Sequence, residues 1–499
     1  MTTSRRSAIQ AIAGLSAASG TSLVVANTKA PINSIAARNH QKANKSTLET
    51  VDVVIIGAGF AGLTAALAIK AGGKRVMVIE ARDRVGGRTE SVQLAGLTMD
   101  VGGMWVGPQQ SRLLALAAKY GVKSYPTFLN GKNIIEFGGK TTQSKGEDWE
   151  AAMSVPQKLD YVNVESKLKD LVDNLSIDKP WTHPEAKTLD GMTFQTWLND
   201  AAYTEGVKTI FHAVCGSILC CTPEQISPLF FAWYLKSCGG LNVLIQTKGG
   251  AQDALFNGSV HQIANRMADE LKEQIVLSNP VRKVHQDADG VKVVADNCEV
   301  KAQKLIVAVP APLYGAIDFS PRLPSAKSAL SQRSPMGSVI KILVAYTTPF
   351  WRDQGFNGFT SRVGSSLTPT FDVTPPNQPL GVLVGFVDAD LTIEMSELSP
   401  AQRKRKVLAD LAKSFGQQAL SPVDYVERSW IDEKWSEGCY GAYMTPGTLT
   451  RYGAYRQNRH LNIYWAGTET ANQWSGYIEG AIESGQRVAR DILAVLPKN

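Results

Sequence analysis

Apolar residues gather in dense, glycine-bounded runs near both ends of the chain and follow helical spacing between them. Val51 to Ile56 is a β-rich run closed by Gly57, the pattern of a parallel strand buried on both faces. Leu63 to Lys70 has helical composition, Gly72-Gly73 ends it, and Val76 to Ile79 predicts a second strand with Glu80 at its C-terminal end. Residues 110–235 change character: helical periodicity, many Lys and Asp, few β-branched runs. They read as an inserted helical part. Ile275 to Val284 and Lys301 to Val309 return to strand composition. Val339 to Tyr346 alternates and opens a further stretch that reaches about residue 425, and Ala489 to Leu496 is expected to end the last helix. Internal repeats are absent. The alternation predicts an α/β protein of two interleaved, discontinuous domains. One is drawn from residues 49–108, 240–322 and 426–499, the other, of α+β type, from 109–239 and 323–425, after a leader at 1–48.

The chain has 499 residues, 44% of them hydrophobic, enough to bury a large core. Its formal charge of +7 points toward nucleic acid only until it is located. Arg5, Arg6, Lys29, Arg38, Lys42 and Lys45 all precede Glu49, and no acid does, so the remainder is close to neutral. A nucleic-acid partner is therefore not expected.

Ser4-Arg5-Arg6-Ser7 precedes a weakly apolar run from Ala11 to Ala26, and resembles a twin-arginine (Tat) export signal, with Ala8 where a bulky Phe is usual. Val24-Val25-Ala26 is the candidate cleavage site. The reading is a periplasmic protein with a flexible leader at residues 27–48; the alternative is a cytoplasmic one with a basic tail. Beyond residue 26 no apolar run has membrane-spanning length, so no membrane anchor is expected. The six cysteines show no CxxC pair and no zinc-type spacing, so no metal is expected, and five of the six read as buried free thiols.

The chemistry starts at Gly57-Ala58-Gly59-Phe60-Ala61-Gly62. Strand, GxGxxG, helix, strand and an acid about 20 residues on form a Rossmann-like dinucleotide signature. The glycines Gly57, Gly59 and Gly62 allow a tight turn and close backbone approach, the pyrophosphate sits at the helix N-terminus, and Glu80 accepts from ribose hydroxyls. Ala81-Arg82-Asp83-Arg84-Val85-Gly86-Gly87-Arg88 follows and resembles the Arg-x-x-Gly-Gly-Arg motif of glutathione-reductase-type flavoproteins, which favours FAD over NAD. Gly102-Gly103-Met104-Trp105 is a second glycine-rich crossing, placed against the flavin ring, and Val281 offers its backbone to the adenine.

With Ser436-Glu437-Gly438-Cys439-Tyr440, Ala466-Gly467-Thr468-Glu469-Thr470 and Trp474-Ser475-Gly476-Tyr477 added, residues 50–495 resemble the flavin monoamine oxidase family. Gly337-Ser338-Val339-Ile340-Lys341, Pro349-Phe350-Trp351-Arg352 and Cys238-Gly239-Gly240 match in the same order. The resemblance implies an amine oxidase that transfers hydride from the amine α-carbon to flavin N5. The imine product hydrolyses to an aldehyde or ketone plus ammonia or an amine. It assigns Tyr440 and Tyr477 to aromatic walls that guide the amine, and Lys341 to a water at N5. It implies a thioether between Cys439 and the flavin, with Glu437 standing where linked relatives commonly have glycine. Arg82, Gly87, Arg88, Gly103, Gly467, Thr468, Glu469 and Gly476 complete the cofactor set.

Specificity is read from apolar stretches. Leu241, Ile245 and Trp233 are the candidate pocket residues, with Phe356 and the Cys220/Cys221 region beside them. An apolar pocket suits an arylalkyl monoamine, with pseudooxynicotine-type amines as one example. Neither the acids of a polyamine tunnel nor the carboxylate-binding arginine of an L-amino acid oxidase is clearly placed, and the latter enzyme is the runner-up. O2 and a cytochrome c both stand as electron acceptor, and a homodimer is the common state among relatives.

Overall fold

The computed structural model describes residues 48–145 and 149–497. The twin-arginine segment, its cleavage site and nearly all of the leader lie outside the described residues.

The strand Leu48–Ile56 ends in four consecutive buried residues, as its apolar run requires. It pairs in parallel with Val76–Ile79 on one side and with Glu299–Val307 on the other. Glu299–Val307 carries two partners along its other edge. Its first half pairs antiparallel with Val291–Ala295, and its last three residues pair in parallel with Ile463–Trp465. Ile275–Val276, Val281–Gln286 and Asp318–Ser320 complete this eight-stranded sheet. The strand expected from Ile275 to Val284 is therefore two strands. Pro280 has no N–H to donate to a ladder and separates them.

The helix Phe60–Ala71 begins at Gly59, with no side chain capping its N-terminus and no acid in its first turn. Its open N–H groups and positive dipole end suit an anion. It packs against the last helix, Ile478–Leu493, in a shared apolar core with Leu63, Ile69, Ile482 and Val488. That last helix stops at Leu493, three residues before the expected Leu496.

A second sheet of seven strands runs Asp424–Ser429, Val339–Tyr346, Gly381–Asp388, Thr370–Asp372, Phe356–Arg362, Lys132–Phe137 and Lys140–Lys145. The last two correct the reading of residues 110–235 as wholly helical. Gly138-Gly139 turns a hairpin there, and Phe356–Arg362 supplies the pairing edge from more than 200 residues away. From Val155 to Ile245 the segment is helical as expected. Val339–Tyr346 has the expected bounds, yet all eight residues are buried, so both of its faces are covered. Ile340, Ile342 and Val344 pack with Leu408, Leu411 and Phe415 of the helix Pro400–Phe415; Val339, Leu343 and Ala345 pack with Phe371 and Phe386 on the other face.

All six cysteines are free, five of them buried and Cys298 half-buried. Among the described residues no helix is long and apolar enough to cross a membrane.

Candidate active site

A cavity of about 560 Å³ is lined at one end by Gly57, Gly59, Glu80, Arg82, Gly87 and Arg88. It continues past Gly103, Met104, Trp105, Lys341, Cys439, Tyr440, Gly467, Thr468, Gly476 and Tyr477, and then runs on between apolar side chains. Val281 also lines it.

The turn at its nucleotide end depends on two glycines. Gly57 has φ +102°, in the left-handed region. At Gly62 an added Cβ would fall 1.9 Å from the Gly57 carbonyl oxygen, so helix and turn approach only because no side chain is present. Glu80 fixes the turn from the neighbouring strand. Its carboxylate accepts from the Ala58 N–H at 2.7 Å and the Arg82 N–H at 2.9 Å. A carboxylate has about four lone-pair sites, so acceptor capacity remains for a ribose. Arg82 bonds Glu433 at 3.2 Å, yet its Nη2 is buried without a partner, as is Ser436 Oγ, and both residues line the cavity. An uncapped helix N-terminus, a glycine cradle and unsatisfied donors fit a dinucleotide.

Arg88 spans the middle. It forms a two-point ion pair with Glu469, at 2.6 and 3.1 Å, and donates to the Tyr440 carbonyl at 2.8 Å. Glu469 also accepts from the Ala442 N–H at 3.2 Å, which ties it to the Cys439 segment. Glu469 thus acts on the cavity wall through Arg88 and is not itself on the lining. Glu437 has φ +55°, a conformation that favours glycine, and its N–H is held by the Glu433 carbonyl at 2.7 Å. The Cys439–Tyr440 peptide bond is cis. Burial pushes the Cys439 thiol up to about 12, against the opposing pull of Arg88.

Lys341 lies on the face of its strand that turns toward the cavity, 3% exposed. Its ammonium donates to the Gly102 carbonyl at 2.7 Å and meets Met104 Sδ at 2.9 Å. Trp105 and Phe386 flank it at 5.5 and 5.8 Å. Burial lowers the Lys341 pKa and raises that of Asp100, so the interior pushes both toward their neutral forms. Asp100 holds the Val260 N–H at 2.9 Å. Burial also raises the phenols of Tyr440 and Tyr477, keeping both rings neutral. Tyr440 packs edge-on against Phe386 at 6.1 Å, and Tyr477 against Trp474 at 5.0 Å.

The specificity expectations need correction at five positions. Ile245 lines the cavity, but Leu241 and Trp233 do not. Trp233 turns away to donate its indole N–H to the Ile177 carbonyl at 3.0 Å, and Arg456 stacks on its ring at 4.4 Å. Helical spacing brings the next residue, Tyr234, to the cavity instead. Leu241 is buried in the helical core, while Leu244 and Ile245 on the same short helix reach the cavity. Phe356, Cys220 and Cys221 are likewise off the lining. Two faces escaped the sequence reading. Ile210, Val214 and Ser217 line the cavity from the helix Glu205–Leu219 at near-helical spacing, and Asn357, Phe359 and Ser361 line it from one strand at period two. Both signals are in the sequence, but nothing local says which face meets the cavity.

Known proteins agree with this geometry. The profile of flavin containing amine oxidoreductases matches residues 60–493, and that of pyridine nucleotide-disulphide oxidoreductases matches residues 18–101. The chain is 36% identical to probable flavin-containing monoamine oxidase A of Dictyostelium discoideum, over 88% of this chain and 97% of that protein. Among solved structures, wild-type putrescine oxidase bound to putrescine superimposes with a TM-score of 0.86 at 33% identity, covering 90% of this chain and all of that one. Cyclohexylamine oxidase from Brevibacterium oxydans gives 0.84 at 31% identity, over 89% of this chain and 99% of that one. A glycine cradle at one end of the cavity, an aromatic-walled chamber at the other and full-length similarity converge: this chain belongs to the flavin-containing amine oxidases and is an FAD-dependent oxidoreductase acting on amines.

Proposed function

We propose that the enzyme oxidises an arylalkyl monoamine whose nitrogen enters between Tyr440 and Tyr477, on an FAD attached through Cys439. The observation that carries this reading is that one cavity is lined by the glycine cradle, by Cys439 and Lys341, by both tyrosines, and by an apolar chamber beyond them. Bound FAD supplies a two-electron acceptor for the amine C–H bond, and the product imine hydrolyses to an aldehyde or ketone.

The protein's own work is positioning and desolvation. Gly57, Gly59 and Gly62 admit the pyrophosphate to the helix N-terminus, Glu80 and Arg82 take the ribose side, and Val281 the adenine. Gly87, Arg88, Gly103, Met104, Trp105, Gly467, Thr468 and Gly476 enclose the ring, and Glu469 supports them through Arg88. Tyr440 and Tyr477 present π-faces that favour a nitrogen between them. The dry chamber lowers the pKa of an entering ammonium, so that the neutral amine is delivered without a side-chain base. Lys341 Nζ has one hydrogen-bonding position left beyond Gly102 and Met104, an N–H when protonated and a lone pair when neutral, with which to hold a water over the ring.

The charges in the cavity wall favour a monoamine over an amino acid. Arg82 and Arg88 pair with Glu433 and Glu469, and Arg282 with Asp296. At the outer end the acid Glu136 is paired with Arg362 at 2.6 Å. Among the described lining residues every arginine has an acid partner, so none is free for a substrate carboxylate, while of the acids Glu437, two residues before Cys439, has no ion pair. O2 and a cytochrome c remain the two candidate acceptors, export through the twin-arginine segment places the enzyme in the periplasm, and a homodimer is the proposed assembly.

Anaerobic mixing tests the reading. An arylalkylamine should bleach the oxidised flavin band and an L-amino acid should not. Bleaching by the amino acid alone would move the enzyme to the runner-up class. Tyr440→Ala and Tyr477→Ala should each lower kcat/KM roughly ten- to a hundredfold, while the Phe variants stay within a few-fold, because the ring face and not the hydroxyl is used.

A further inference from the structure

Beyond the tyrosines the cavity lining is mainly apolar with a few polar side chains in it, and the strand Phe356–Arg362 supplies two of them. Strand period places Asn357, Phe359 and Ser361 on one face, and all three line the cavity. Asn357 is 1% exposed. Its side-chain oxygen accepts the Phe359 N–H at 3.0 Å, which fixes the orientation of the carboxamide. That leaves Nδ2 as a buried donor with no acceptor among the described residues.

The other carboxamides of the wall are engaged. The Asn133 oxygen accepts from Ser144 N–H and hydroxyl at 3.2 and 2.6 Å. The Gln252 nitrogen, in its satisfied orientation, reaches the Leu244 and Gln246 carbonyls at 3.2 and 3.1 Å. Trp105 Nε1 is also without a partner, but Trp105 sits beside Lys341 at the flavin end. Asn357 belongs farther out: ring contacts of 5.2 Å lead from Trp105 to Phe371, and of 5.2 Å from Phe371 to Phe359 on the strand of Asn357. An amide donor left dry costs free energy unless an acceptor arrives to take it, and discrimination built on a buried polar group is stronger than that built on shape.

The geometry points to Asn357 as a specificity-determining residue that donates to a hydrogen-bond acceptor on the substrate's tail. The substrate is then an amine whose aromatic or apolar body carries a carbonyl oxygen or a heteroaromatic nitrogen remote from the reacting nitrogen. This rests on the placement of the amine between Tyr440 and Tyr477.

Phenylbutylamine and its pyridyl counterpart, identical but for the ring nitrogen, test it with the holoenzyme. The wild type should favour the pyridyl amine roughly tenfold in kcat/KM. Asn357→Leu should remove or invert that preference, read as the ratio of the two kcat/KM values, because the lone pair then leaves water without a donor. A preference absent from the wild type, or unchanged in the variant, would overturn the assignment. Failure of both amines to reduce the flavin would overturn the amine placement and this inference together. Butylpyridine and butylbenzene, which carry no amine, separate the two and need no variant. Perturbation of the wild-type flavin band should give a roughly tenfold lower Kd for butylpyridine, and equal Kd values would overturn the role of Asn357 alone.

Discussion

Arg88 and Glu469 meet through two parallel hydrogen bonds, and the same guanidinium holds the carbonyl of Tyr440, one residue beyond Cys439. A charge pair shielded this far from water is strongly destabilised when only one partner is removed. Glu469→Gln should cost about 3 kcal/mol and release the Cys439 segment from the Arg88 anchor. Thermal melts and the flavin-to-protein absorbance ratio should both fall. A melt unchanged from wild type would show that the pair does not hold the wall.

Gly62→Ala should fail through sterics alone. Its Cβ would sit 1.9 Å from the Gly57 carbonyl oxygen, inside the turn that faces the cavity. Flavin content after purification should drop roughly tenfold. Gly315→Ala, where an added Cβ meets nothing within 4 Å, should retain its flavin and serves as the control.

Cys439 gives a prediction in pH. Its thiol is pushed up to about 12 by burial, so at neutral pH it is protonated. The thiolate is the nucleophile, and its fraction rises about tenfold per pH unit below that value. Apoprotein incubated with FAD should therefore form the covalent link faster as pH rises. Acid precipitation reads the result: colour in the pellet for wild type, and in the supernatant for Cys439→Ala.

Asp388 lies against the backbone of Gly216, whose Cβ position would be 2.8 Å from the carboxylate. Burial raises its pKa from 3.8 to about 7. Between those values the folded protein holds a proton that the unfolded chain has released, so this group's contribution to stability falls as pH rises through that window. Asp388→Asn should leave Tm unchanged relative to wild type below pH 3.8 and raise it by about 2 °C above pH 7. Equal Tm differences at both ends would show that the carboxyl does not titrate there.

The nucleotide end of the site was legible in the sequence because its signals are local. Gly57, Gly59 and Gly62 mark the turn within six residues, two of them where a side chain would clash, and Val76–Ile79 has the bounds its four apolar residues predict. The hairpin Lys132–Lys145 was not legible, since its outer strand is polar and its inner strand, Lys132–Phe137, is held by a partner more than 200 residues away. Val339–Tyr346 reads as alternating, yet both faces are covered, one by a helix that begins 54 residues later. Trp233 and Tyr234 make the limit plain. Both are buried aromatics on one helix, and only the third dimension decides that the second of them meets the cavity.

The long strand Glu299–Val307 joins segments made far apart in time. Its partner Leu48–Ile56 leaves the ribosome roughly 250 residues earlier, on the order of ten to fifty seconds at ordinary elongation rates. Ile463–Trp465, which completes the far edge, emerges some 150 residues later still. The phosphate-binding turn is therefore synthesised first and walled last. Until Glu299–Val307 emerges, only the edge of Val53–Ile56 that meets Val76–Ile79 has its native partner, which predicts a demand for chaperone cover of the other edge over that interval.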